Sequence, residues 1–193
     1  RPLDDFPGGT LGKRERAAFL VSDRCGWDIV PPTVFRDTGP FGPGMTQLWI
    51  DLDPEADVIA MVNGDDPRLR TMAAFDAAVN NADRKGGHIL PTPDGHVYGV
   101  DHGICFAAEP KLRTILWGWR GQPLAEPELA LLQRTRAALA DGADGAGVLG
   151  GELRPLLSRA EVRALRHRVD ALLASGCFPL PDPYRMVIPW PPF

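Results

Sequence analysis

The chain has 193 residues, 44 % hydrophobic and 24 % charged, with a net charge of −4. That length fits one domain able to bury a substantial core, and the weak acidity excludes a broad electrostatic footprint for nucleic acid or an anionic membrane. The three cysteines, Cys25, Cys105 and Cys177, are too few and too far apart for a disulfide framework or a zinc knuckle, which fits a reducing, cytoplasmic setting. No apolar run approaches the ~18 residues of a membrane span.

In chain order, residues 1–9 read as a turn-rich loop. Thr10 then caps a helix running to about Cys25, with Ala17, Ala18, Leu20 and Val21 on its apolar side and Gly26 as its stop. "WDIVPPTVFRD" reads as an extended run interrupted by prolines, and "MTQLWIDLD" (45–53) as a second strand. Asp66 and Pro67 open another helix, along which Leu69, Met72, Ala73 and Val79 keep helical spacing. Residues 80–87 form a loop. "HIL" and "HVYGVD" are short strands joined by a Pro-Asp-Gly turn, and residues 107–124 are irregular. A helix spans about 126–140, and "DGADGAGVLGG" is a glycine-rich link. Ser158 and Glu161 form a capping box for a helix that turns Val162, Leu165, Val169 and Leu172 inward and ends at Gly176. The proline-dense tail "FPLPDPYRMVIPWPPF" is extended along the surface.

The chemistry concentrates in "NNADRKGGHILPTPDGHVYGVDHGICF" (80–106). Phosphoryl transfer requires a carboxylate to orient or accept the proton of the attacking hydroxyl, metal ligands for the phosphates, and a cation to offset developing charge. Asp83, Lys85 at plus two and His88 at plus five supply a base, a cation and a ligand in that order. A hairpin later comes Asp101-His102-Gly103. With helix, two strands, helix, loop, hairpin and further helices around it, this is the layout of the back half of a kinase.

The stretch resembles the phosphatidylinositol 3-/4-kinase-like superfamily, with type II phosphatidylinositol 4-kinases and HipA-like bacterial kinases as relatives of the pattern. The carriers are the Asn-x-Asp-Arg opening at Asn81–Arg84 and the Asp-x-Gly triplet at 101–103. Over about residues 10–140 it is most similar to uncharacterised bacterial phosphatidylinositol kinase-like proteins. The resemblance implies an α+β, protein-kinase-like fold, mostly the helical large lobe with short strands, in a single domain over 1–193. Residues 1–53 would be regulatory helix and hinge, and 54–193 the large lobe. It implies ATP with Mg²⁺ or Mn²⁺, Asp83 as base, Lys85 near the transferring phosphate, and Asp101 with His88 as metal ligands. Glu15 would pair with a strand lysine, and Gln47, Leu48, Trp49 and Ile50 would line the adenine. The phosphate acceptor, whether protein, lipid or small molecule, stays open. Nucleic acid and stable membrane insertion are not expected.

Two departures matter. His88 stands where the family carries Asn, and imidazole favours Mn²⁺ or a transition metal over Mg²⁺. The chain's lysines are Lys13, Lys85 and Lys111, and none lies on a strand before Glu15. Lys13 is two residues from Glu15 and cannot face it on a helix. A small lobe that grips ATP is therefore expected to lie outside this chain, consistent with its Arg-Pro start, or to be reduced. A pseudokinase, binding nucleotide or partner without chemistry, is the alternative. A metallohydrolase built on His88, Asp101 and His102 is a third reading.

Plainer roles stand beside these. Asp83 can cap the loop or pair with Arg84, and Lys85 can be solvated. His88 can be structural, His102 fits packing, and His96 is exposed on its turn. Glu15 can be an ordinary exposed helix residue. Trp117 and Trp119 in "KLRTILWGWR" pack their segment or dock a substrate, and Cys105 belongs to the core.

Overall fold

The computed structural model describes residues 6–140 and 148–193. Helix α1 (Leu11–Cys25) leads into a hairpin of β1 (Thr33–Arg36) and β2 (Gly44–Gln47). Helices α2 (Val58–Asn63) and α3 (Pro67–Val79) follow. A second antiparallel hairpin joins β3 (Ile89–Pro91) to β4 (Val97–Gly99). After an irregular stretch with a 3₁₀ turn at Trp117–Trp119 come α4 (Glu126–Leu139), α5 (Val148–Leu153) and α6 (Arg159–Ser175). The fold is α+β, mostly helical, with two small antiparallel sheets, as the sequence led us to expect. No described helix is long and apolar enough to cross a membrane.

Most helix boundaries fall where their local chemistry sets them. α1 and α6 end at Gly26 and Gly176, both left-handed. Ser158 Oγ accepts the Glu161 N–H while Glu161 accepts the Ser158 N–H, closing the capping box. Asp66 Oδ1 accepts the Arg68 N–H at the start of α3. Thr10 precedes α1 but turns its hydroxyl back to Pro7 instead of capping. α2 has no apolar periodicity to announce it and starts on Asp57, whose Oδ1 accepts the Ala60 N–H.

The core lies where α1, α3, α4, α5 and α6 meet. Val21, Leu69, Met72, Phe75, Leu132, Leu149 and Leu165 are fully buried there. Trp27 meets Phe75 edge-on at 5.4 Å, and its Nε1 donates to Thr135 Oγ1 in α4. Three expectations change. The strand expected over 45–53 stops at Gln47, because β1 is four residues long and Pro31 and Pro32 before it have no N–H to extend the ladder. The glycine-rich link lies outside the described residues as far as 147, and its last residues form the start of α5. The tail has no helix, as expected, yet it is pinned to the body. The Thr114 N–H and Trp117 Nε1 both donate to the Val187 carbonyl, and the Gly86 N–H donates to that of Pro192.

Candidate functional site

α3 positions the site from its end. Asn80 closes the helix in a left-handed conformation, and its amide ties down the segment opposite: Nδ2 donates to the carbonyls of Ala107 and Glu109, and Oδ1 accepts the Lys111 N–H. Asn81 then stiffens the loop, with Nδ2 on Asp76 Oδ1 and Oδ1 accepting the Asp83 N–H at 3.0 Å.

Asp83 stands half-buried between two cations. Lys85 Nζ lies 3.1 Å from Oδ2 and Arg113 Nη2 lies 3.6 Å from Oδ1. A pairing of Asp83 with Arg84 does not occur, because Arg84 turns into the interior. The ring of His88 comes within electrostatic reach of both Asp83 and Asp101, with Nε2 3.4 Å from Asp101 Oδ2. Burial lowers the His88 pKa, more than Asp101 raises it, so at neutral pH the ring keeps the lone pair a cation needs. Asp101 itself is exposed, on a left-handed backbone just after β4. Asp83, Lys85, His88 and Asp101 are thus gathered in one place.

Glu15, Gln47 and His102 belong to a different assembly. Arg84 is wholly buried and grips Asp76 with Nε and Nη2, both at 2.9 Å. Its Nη1 reaches the His88 and Val100 carbonyls, and Nη2 also lies 2.7 Å from His102 Nε2. Since a guanidinium only donates, His102 Nε2 accepts and Nδ1 carries the proton. Nδ1 lies 3.3 Å from Glu15 Oε1, which also accepts from Gln47 Nε2. Burial pushes the Glu15 carboxyl up, but the hydrogen bonds from His102 and Gln47 bring it below its ordinary value.

Several expectations need correction. Glu15 is not an exposed helix residue, and His102 and Gln47 occupy the carboxylate offered to a strand lysine. Gln47 points into this network rather than toward a base, Ile50 is half-buried, and Leu48 and Trp49 stand 56 % and 85 % exposed. His102 cannot join His88 as a metal ligand, because both ring nitrogens are engaged and the ring is buried. His96 is only partly exposed, stacked edge-on against Tyr98 at 4.2 Å. Trp119 is core, whereas Trp117 lines the cavity beneath the tail. What the sequence reading missed is Asp76. It falls at the helical spacing of Met72 and Ala73, on the buried side of α3, and a carboxylate there demands a buried cation. That signal points to Arg84.

Among the described residues no three His, Cys, Asp or Glu side chains form a metal-holding group. The His88–Asp101 pair is nonetheless compatible with a divalent ion. Two neighbouring ligands at about 2.1 Å from Mg²⁺ lie roughly 3 Å apart, close to the 3.4 Å observed. Such an ion takes its remaining ligands from phosphates and water.

No family model matches the chain. The whole chain aligns with Protein Rv2133c of Mycobacterium tuberculosis, at 43 % identity over 228 residues and covering 79 % of that protein. At that identity and coverage, the chain belongs to the family of Protein Rv2133c.

Proposed function

We propose that this protein is an atypical ATP-dependent phosphotransferase with a kinase-like large lobe, moving the γ-phosphate to a hydroxyl of a protein, lipid or small-molecule acceptor. The observation that carries the reading is the gathering of Asp83, Lys85, His88 and Asp101 at one point, from a loop and from the turn after a hairpin. Asp83 holds the acceptor hydroxyl and takes its proton as the oxygen attacks the γ-phosphorus. The bond to the bridging oxygen breaks and its electron pair leaves with ADP. Lys85, already against Asp83, offsets charge on the transferring group. His88 and Asp101 would hold Mg²⁺ or Mn²⁺, which neutralises phosphate charge. The buried Arg84–Asp76 pair keeps the loop in place without touching substrate.

The test compares two substitutions in the full-length protein. Asp83→Asn preserves shape and is expected to leave nucleotide binding intact, while transfer falls by about 10²–10⁴-fold. Asp101→Asn is expected to weaken metal-dependent nucleotide binding itself. Equal transfer by wild type and Asp83→Asn would defeat the proposal.

One observation favours a pseudokinase as the second reading. Glu15, whose counterpart in the kinases that the sequence resembles pairs with a lysine, is instead satisfied by His102 and Gln47. Nucleotide binding without transfer to any acceptor or to water, unchanged by Asp83→Asn, would select it.

A further inference from the structure

A large cavity lies behind the Asp83 cluster, between α6, residues 104–117 and the tail, with a volume of about 1180 Å³. Its walls are mainly apolar, with Ile104, Leu112, Leu172 and Phe178 among them. Among the described residues its charged lining is one-sided: Lys111, Arg113, Arg168 and Arg185, with Asp182 as the carboxylate. That imbalance occurs in a chain whose net charge is −4.

Among the described residues, two of these cations, Arg168 and Arg185, have no carboxylate partner. Arg168 donates Nε to the Ala78 carbonyl and Nη1 to that of Ala107, while its Nη2 is buried with no acceptor at all. Burial lowers its pKa to about 10, a sign of uncompensated charge. Arg185, exposed at the rim, donates to the Pro110 carbonyl. The roof is the tail over residues 179–187, held at the far end by the bonds to Val187 and leaving Tyr184 95 % exposed.

We propose that this cavity binds a single amphiphilic anion, an apolar chain carrying one carboxylate or phosphate head. The chain fills the apolar interior, and the head supplies the counter-charge that the largely buried Arg168 lacks, with the exposed Arg185 as a second cation at the rim. A buried guanidinium without an anion is costly, and a charged acceptor brought to it contributes more than a neutral one. The site is distinct from the Asp83 cluster and touches it through Arg113, which lines the cavity and also faces Asp83.

The test titrates dansylaminoundecanoate into the full chain. Saturable uptake at one site is expected, with displacement by dodecanoate or dodecyl phosphate at concentrations at least about tenfold below those needed with dodecanol. The more effective of the two anions identifies the head group. Ala171→Trp places an indole from the exposed side of α6 into the cavity and is expected to abolish uptake. Arg168→Met is expected to bring dodecanoate and dodecanol near parity. Because Arg168 also holds two carbonyls, Arg185→Gln is measured beside it, with weaker probe binding expected from a rim residue that the fold does not need. Absence of saturable uptake, equal displacement by dodecanol, or uptake retained in Ala171→Trp would overturn the proposal. So would self-association of the chain that Ala171→Trp abolishes, since the cavity would then belong to a second copy.

Discussion

Arg84 and Asp83 are adjacent in sequence but differ in environment. Arg84 is wholly buried, and among the described residues its charged partner within ion-pairing distance is Asp76, also fully buried. Removing one member leaves an uncompensated interior charge, so Asp76→Ala is expected to destabilise by about 3–5 kcal/mol. Urea unfolding of the purified protein checks this, and a loss below 1 kcal/mol would mean that water or another group takes over. Asp83→Asn, between partly exposed cations, is expected to change stability little in the same measurement.

At the scale of elements, the helices were the most legible part of the sequence. Asp66-Pro67, the Ser158/Glu161 box and the closing glycines each act within one turn of chain, so a local reading finds them. The end of β2 was not legible, since it depends on how far β1 extends, a partner 14 residues away in the Gln47–Thr33 pair. The convergence of Asp83, His88 and Asp101 was read from motif order. The sealing of Glu15 by His102 was not, because residues 87 apart had to meet. Two predictions belong to this scale. Ser158→Ala is expected to cost about 1 kcal/mol of stability by removing an N-cap, measurable by thermal unfolding; an unchanged midpoint would show that Glu161 suffices alone. A Cβ at Gly86 would come within 2.0 Å of the Phe193 ring, and the ring is half exposed and able to move away. Gly86→Ala is therefore expected to release the end of the tail with little loss of global stability. Faster exchange of the amide at residue 86, which donates to the Pro192 carbonyl, with protection elsewhere unchanged, would show it, and unchanged exchange of that amide would refute it.

For the whole molecule, the chain Asp76–Arg84–His102–Glu15–Gln47 links α3, the loop, the turn after β4, α1 and β2. Its acid sensitivity has a definite sign. Glu15 binds its proton less readily folded than unfolded, so its contribution is complete above the ordinary value of 4.5 and is lost as pH falls through the lower folded value. Glu15→Gln is expected to flatten the fall in stability below that point. Parallel stability curves for variant and wild type in that window would show that the network's charge has no part in acid unfolding.

The separation between Asp83 and Arg84 also bears on how such a chain can change over generations. The residue that performs the proposed chemistry bears little of the architecture, and its neighbour bears much of it while never meeting a substrate. A lineage can therefore exchange Asp83 and still inherit a well-formed molecule, free to be recruited for binding alone. Replacement of Arg84, even by lysine with its single nitrogen, loses the forked grip on Asp76 and with it the molecule's shape. Two neighbouring codons thus answer to different selective pressures, one to turnover and the other to survival of the fold.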